Sequence, residues 1–302
     1  MSKMDKVNIS HLNTEQRNPK TLALDTMSTM ELLQTMNEED WKVIETIHEA
    51  LPQIDKTIHI VIEALRTGGR LIYMGAGTSG RLGILDAVEC VPTFSTKDEV
   101  IGIIAGGESA FVRAVEGAED SEELAAEELE KINLGEEDVV IAITASGRTP
   151  YAIGAIKHAK RKGAKAIGIS CNKNSVMSAY ADETIEVDAG PEILTGSTRL
   201  KAGTCQKIIL NMISTASMVG IGKVYGNLMV DMKATNLKLI ERAKRIVAEC
   251  AGCDLSTAES TLLLTDYSIK EAIVMILIGV SREEAQRRIS LSGGFIRKCI
   301  GQ

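Results

Sequence analysis

Apolar residues recur every three or four positions from Met30 to Arg66, at Leu32, Leu33, Met36, Val43, Ile44, Ile47, Ile54, Ile58, Val61, Ile62 and Leu65. That period is helical and predicts two or three amphipathic helices ending at Gly68 and Gly69. The period then changes. Short apolar runs occupy Leu71–Met74, Val100–Ala105, Val139–Ala145 and Ala166–Ser170, and Ile185–Val187 is a candidate fifth strand. Such runs read as buried strands. Helical stretches separate them, from about Ser79, over Ser109–Lys131 and over Pro150–Lys162, and a long apolar helix follows over Leu200–Gly220. Wholly apolar strands alternating with helices predict an α/β fold with a parallel sheet covered on both faces. From about Ala234 the strand pattern stops. Helical stretches around Leu237–Cys250, Ser256–Leu264, Ile269–Ile278 and Arg282–Leu291 predict a small helical appendage.

Composition narrows the partners. The chain has 302 residues and a net charge of −7, with 3% aromatic residues. Nucleic acid and anionic membranes both need a basic face, so neither is expected as a partner. The longest apolar run, Ala272 to Val280, is nine residues, about half of a membrane span. Residues 1–20 are polar and charged, with no apolar signal segment, so a cytoplasmic protein with reduced thiols is expected. Cys250 and Cys253 form a lone CxxC without a second ligand pair, and His11, His48, His59 and His158 have no metal spacing. No metal site is expected.

The candidate chemistry lies where the apolar runs open into Gly/Ser/Thr-rich loops: residues 75–80, 145–149 and 170–175. In open α/β sheets that edge is where ligands sit. Gly75, Gly77 and Gly80 fit GxGxxG, but any tight strand-to-helix turn favours glycine. The acidic residue a dinucleotide site wants at the end of the second strand is missing, since Glu108 comes about one turn late. A phosphate-loop reading fails as well, with Arg81 in place of the lysine and Leu82 in place of the hydroxyl. The hydroxyls are more telling. Thr144, Ser146 and Thr149, leading into a helix that starts at Pro150, offer side-chain donors, backbone N–H groups and a positive helix end, which suits one phosphate monoester without a metal. Ordinary helix capping explains one such loop, but three on one sheet edge are harder to explain that way.

The motifs Thr14-Glu-Gln-Arg-Asn-Pro19, Gly75-Ala-Gly-Thr-Ser-Gly-Arg-Leu-Gly83, Glu89-Cys-Val-Pro-Thr-Phe94, Glu116-Gly-Ala-Glu-Asp120, Ala145-Ser-Gly-Arg-Thr-Pro150, Thr195-Gly-Ser-Thr-Arg-Leu-Lys-Ala-Gly-Thr204 and Gly226-Asn-Leu-Met-Val-Asp231 together resemble those of the N-acetylmuramic acid 6-phosphate etherase family. The resemblance runs from Thr14 to Gly294, with one departure, Val91 where the family usually has a proline. It implies a sugar isomerase (SIS) fold, a flavodoxin-like three-layer sandwich. It also implies an N-terminal helical segment over residues 1–53, a sugar-phosphate-binding domain over 54–233 and a small UBA-like helical domain over 234–302.

The implied reaction cleaves the ether between D-lactate and C3 of the sugar without a cofactor. The aldehyde of the open-chain sugar acidifies the C2 proton; a base removes it, an acid protonates the departing ether oxygen, and water adds to the alkene. By resemblance Glu89 is the proton donor to the lactyl oxygen and Glu119 the second acid/base group; partial burial should raise either carboxyl toward neutrality. From spacing alone, Glu119 among Glu116, Asp120, Glu122 and Glu123 reads as a solvated helix-face carboxylate, whereas Glu89 sits in apolar company beside Ala87, Val88 and Cys90. The resemblance assigns the phosphate to Thr144, Ser146, Gly147 and Thr149, puts Thr78 and Ser79 near the sugar, and adds Glu192, Ser197, Thr198 and Lys201. Lys201 would balance the phosphate charge or else be a helix-face lysine. If residues 80–89 are one helix, Glu89 lies roughly 14 Å along it from the glycine loop. Either that helix stops early or a homodimer shares its sites at the interface. The rival readings are a non-catalytic sugar-phosphate-binding regulator and an aldose–ketose isomerase on the same fold.

Overall fold

A computed structural model describes residues 9–113 and 115–301. The chain divides into two compact units, Met1–Ala87 with Val100–Ile213, and Val88–Glu99 with Ser214–Gln302.

The first unit opens with three 3₁₀ turns, Asn13–Glu15, Pro19–Thr21 and Leu24–Thr26, and then helix α1, Thr29–Arg66. Ser28 starts α1 with a capping box: its hydroxyl accepts from the Glu31 N–H while the Glu31 carboxylate accepts from the Ser28 N–H. The two or three helices read from the period are one helix of 38 residues. Pro52 lies inside it and removes one backbone donor. The buried stripe nevertheless keeps its phase across Pro52, through Val43, Ile47, Ala50, Ile54, Thr57, Val61 and Ala64, so one continuous helix covers more of the core than two broken ones would.

Five strands follow: β1 (Leu71–Gly75), β2 (Val100–Ile104), β3 (Val139–Thr144), β4 (Lys165–Ser170) and β5 (Glu183–Glu186). They form one parallel sheet in the order β2-β1-β3-β4-β5, with Leu71 opposite both Val100 and Val139. β1 and β3 are buried from end to end. On one face Ile72, Met74, Val140 and Ala142 pack with Ala125 and Leu129 of α4 (Glu122–Lys131) and with Tyr151 and Ile156 of α5 (Pro150–Arg161). On the other, α2 (Gly77–Phe94) comes so close that a Cβ on Gly83 would stand 2.9 Å from the Tyr73 Cβ. The expected helix over 109–131 is interrupted. A short α3 (Ser109–Val112) is followed by a 3₁₀ turn, Ala118–Asp120, after Gly117 at φ +77°, and Ser121 then caps α4 by accepting from the Leu124 N–H. The last helix to begin in this unit is α6, Lys201–Gly220.

In the second unit, α7 (Leu237–Ala251), α8 (Leu255–Leu264), α9 (Ile269–Ile278), α10 (Arg282–Leu291) and α11 (Ile296–Cys299) bury Val247, Ala258, Leu262, Ile273, Val274 and Ala285 together. Asn236, Asp254, Ser268 and Ser281 each cap the helix that follows. Among the described residues, no helix is long and apolar enough to cross a membrane.

Candidate functional site

The strand order reverses between β1 and β3: from β1 the chain crosses to β2 on one side and then to β3 on the other. Loops leaving the carboxyl ends of these two strands diverge and leave a crevice, the usual ligand position in open parallel sheets. A cleft of about 520 Å³ lies there, within the range of small-molecule sites, about 300–1,000 Å³. Its walls include Thr78 and Ser79 from the first turn of α2, Thr144, Ser146, Arg148 and Thr149 from the loop into α5, Thr198, and Glu119 with Asp120 from the 3₁₀ turn before α4.

The β3 side is a cluster of hydroxyls. The Thr144 Oγ1 lies 2.7 Å from the Thr149 Oγ1 and 3.3 Å from the Ser146 Oγ, and the last two are 3.5 Å apart. Pro150 at the start of α5 has no N–H, and the Thr149 side chain makes no capping bond, so the first-turn N–H groups of Tyr151 and Ala152 have no acceptor within the helix. Hydroxyls that can rotate, a helix start and the Arg148 guanidinium together favour an anion. Gly147 shapes this loop at φ +70°.

The β1 side is built differently. The Ser79 Oγ donates to the Gln206 Oε1 of α6 at 3.0 Å, with both residues buried. The glycine spacing that imitates a nucleotide fingerprint has a packing cause, since a Cβ on Gly80 would meet the Gly75 carbonyl oxygen at 2.4 Å.

The N-terminal segment closes one side, with Ile9, Leu12 and Glu15 lining the cleft. It is tied to the sheet edge by long-range bonds. Asn172 donates to the Thr14 Oγ1 at 3.1 Å and to the Ala145 carbonyl at 3.0 Å, Asn18 to the Pro191 carbonyl at 3.1 Å, and Thr21 to the Ile193 carbonyl at 2.8 Å.

Of the residues singled out from the sequence, Thr78, Ser79, Glu119, Thr144, Ser146, Thr149 and Thr198 line this one cleft, and Gly147 forms its loop. Ser197 precedes Thr198 and is half-buried. Glu192 and Lys201 belong to a buried network instead. Glu192 accepts from the N–H groups of Lys201 and Ala202 at 3.0 and 2.9 Å, so a carboxylate already occupies the start of α6, and burial pushes its pKa up against those bonds. The Lys201 ammonium is 2% exposed and donates to Glu39 and to the Ala189 carbonyl, both at 2.8 Å. It is therefore neither an exposed helix-face lysine nor a group lining the cleft: Glu39 of α1 is its partner, and Arg148 is the cation on the cleft wall. Burial works against the Glu39 charge, but bonds from Lys201, Lys42 and Asn18 outweigh it and hold the carboxyl down to about 2.

Glu89 is exposed on α2 and does not line the cleft. Val88 beside it is also exposed, so its apolar sequence neighbours do not bury it. Glu119 is exposed as well, at the cleft rim on a 3₁₀ turn instead of a helix face. Neither carboxyl is buried by its own chain. The sequence reading missed Glu15, Asp120 and Gln206 as parts of the site and left Arg148 without a role. The motif around Arg148 contained its signal; Gln206 had none, as a glutamine inside an apolar helix.

Residues 43–160 match the family described as the N-terminal SIS domain of glucokinase regulatory protein, and residues 226–276 match the C-terminal lid domain of glucokinase regulatory protein. The chain is 57% identical over 293 residues to an N-acetylmuramic acid 6-phosphate etherase of Geobacillus sp. (strain WCH70), covering 97% of this chain and 99% of that one. Etherases of Shouchella clausii (56% identical, covering 97% and 99%) and Mycolicibacterium smegmatis (53% identical, covering 98% and 99%) are similar over the same span. Among solved structures, a phosphoheptose isomerase from Francisella tularensis matches with a TM-score of 0.50 and 17% identity, over 64% of this chain and 98% of that one. At that identity the likeness concerns the fold.

Proposed function

Because the chain belongs to the N-acetylmuramic acid 6-phosphate etherase family, carbon–oxygen lyases of peptidoglycan recycling, we propose that the β1–β3 cleft binds the open-chain sugar phosphate and that Glu119 and Glu89 move the protons of its cleavage. The reaction takes N-acetylmuramic acid 6-phosphate and water to N-acetylglucosamine 6-phosphate and D-lactate. One observation carries the assignment: a phosphate-sized cluster of three hydroxyls at a helix start shares a cleft with a carboxyl, Glu119.

The phosphate sits against Thr144, Ser146 and Thr149, with Arg148 and the α5 start offsetting its charge. This leaves the carbon chain to extend toward Glu119. A carboxylate takes the C2 proton, the electrons move to the C1 aldehyde, and the C3–O bond breaks as an acid protonates the lactyl oxygen. Water then adds at C3 and a proton returns to C2. Two carboxyls in opposite protonation states suffice for both halves.

The second carboxyl comes from the partner subunit. α2 runs unbroken from Gly77 to Phe94, so it does not stop early, and Glu89 lies about 15 Å along the axis from Ser79. Beside Glu89 the helix bares Leu85, Val88 and Val91, an apolar strip of the kind that a second copy covers. In a homodimer each cleft would combine Glu119 of one protomer with Glu89 of the other, and the interface would bury both. Among the described residues no cysteine is in a disulfide, which supports a cytoplasmic setting as part of this reading. The regulator reading gives way because the relatives similar over 97% of the chain are etherases, and a bare sensor needs no second carboxyl.

Mixed dimers test this. The purified protein releases D-lactate from N-acetylmuramic acid 6-phosphate, and Glu89→Gln or Glu119→Gln alone lowers release by about a hundredfold or more. In isolated dimers of one Glu89→Gln chain and one Glu119→Gln chain, one site keeps both carboxyls, and release returns to about half of wild type. Mixed dimers as inactive as the parents would overturn the shared site, and a wild type that releases no D-lactate would overturn the function.

A further inference from the structure

We propose that Gln206 is a positioning residue that fixes the hydrogen-bonding sense of Ser79, so that Ser79 accepts from a sugar O–H or N–H and takes no part in holding the phosphate. This deepens the functional reading above and rests on it. The Ser79 Oγ lies 3.0 Å from the Gln206 side-chain amide, at 8% and 0% exposure. A glutamine can turn either end toward a serine: with its NH₂ inward the hydroxyl proton is released to the cleft, and with its oxygen inward that proton is held.

The group behind the amide decides which. The Cys171 thiol donates to the Ala202 carbonyl at 3.5 Å. With its own proton committed there, the sulfur can only accept, and the Gln206 Nε2 donates to it at 3.9 Å. The amide oxygen is therefore the end that faces Ser79. Burial raises the Cys171 pKa well above the usual thiol range, so the proton that starts this chain stays in place at neutral pH. The order runs Ser79 O–H to Gln206, Gln206 N–H to Cys171, Cys171 S–H to Ala202, all within the first compact unit.

The cleft is then polar in a directional sense. On the β3 side three hydroxyls and a helix start can all donate, which a dianion requires. On the β1 side the Ser79 oxygen presents lone pairs, which repel a phosphate oxygen and attract the hydroxyls and amide N–H of an amino sugar. One ligand orientation satisfies both ends, and it is the one that sends the phosphate to β3.

Titration calorimetry on the full chain, with N-acetylglucosamine 6-phosphate and with inorganic phosphate, tests the assignment in wild type, Ser79→Ala, Gln206→Met and the double variant. Each single variant should weaken the sugar phosphate about tenfold, and the double no further, while inorganic phosphate stays within about twofold. Equal loss of inorganic phosphate in Ser79→Ala would mean that Ser79 donates to the phosphate, and multiplying losses in the double variant would mean that Gln206 does not act through Ser79; either overturns the proposal. If Gln206→Met does not fold, Cys171→Ala, which releases the amide, replaces it under the same criteria. A wild type that binds inorganic phosphate but not the sugar phosphate overturns the functional reading together with this one. With wild-type binding intact, the variants decide the role of Ser79 alone.

Discussion

Gly147 shows how little room the site leaves at the level of one residue. Its φ is +70°, and a Cβ there would stand 2.3 Å from the Ser175 Cβ and 2.5 Å from the Ser170 Oγ. Both neighbours are held from behind: Ser170 donates to the Asn172 carbonyl, and the Ser175 N–H donates to the Glu186 carboxylate. Gly147→Ala therefore cannot be absorbed by a side-chain turn, and the loop itself must move. We expect a loss of about 1–3 kcal/mol in stability from the strained backbone, read by urea unfolding. The same variant should bind inorganic phosphate at least about tenfold more weakly, because Ser146 and Thr149 flank the displaced residue. Unchanged phosphate affinity would detach this loop from the anion. At the same scale, Lys201 shows that a motif position does not fix what a charge does. At 2% exposure an ammonium pairs with the carboxylate beside it, here Glu39.

Between elements, that ion pair joins α1 to α6. Removing one partner of a buried pair leaves the other charge without compensation, and Lys201→Met should cost about 3 kcal/mol or more. The pair also carries a pH signature. Glu39 is held at about 2 in the fold, below its ordinary value of 4.5. A depressed carboxyl stabilises the fold fully above its unfolded value, and this stability is lost as pH falls from about 4.5 toward 2. Urea unfolding between pH 3 and 7 should show wild type and Lys201→Met converging as the solution becomes more acid. A gap that is constant over that range would assign the stability to something other than this carboxylate. The long α1 belongs to this scale too. It carries Glu39 to the pair in its third turn and continues past Pro52 because its buried stripe stays in register.

At the scale of the whole molecule, the question is where the second carboxyl comes from. Leu85, Val88 and Val91 are 45%, 58% and 36% exposed along one side of α2, and Glu89 stands among them. A charge placed in that strip should break a dimer built on it. Val88→Asp is expected to elute as a monomer in light scattering and to lose D-lactate release by about a hundredfold or more, because each cleft then lacks its partner's Glu89. A monomeric Val88→Asp chain that keeps wild-type activity would place the whole reaction within one chain. Loss of both properties together would tie catalysis to assembly.

The four apolar strand runs, the four longer C-terminal helices and the hydroxyl-rich turns were legible in the chain because each rests on local physics: a continuous apolar run, a period of three to four residues, a cap, a glycine at a turn. The strand β5, Glu183–Glu186, has one buried residue and was legible only in part. The Thr144–Thr149 loop was legible as well, whereas Glu119 was singled out by the resemblance alone, since the acidic run around it read as a solvated helix until Gly117 and Ser121 divided it. What required the folded chain were pairings across long separations: Glu39 with Lys201, 162 residues apart; Thr14 with Asn172, 158 apart; Ser79 with Gln206, 127 apart. No period or cap encodes such a partner. It is chosen when two buried polar groups, each costly to leave unsatisfied, are carried to the same place by the packing of the elements that hold them.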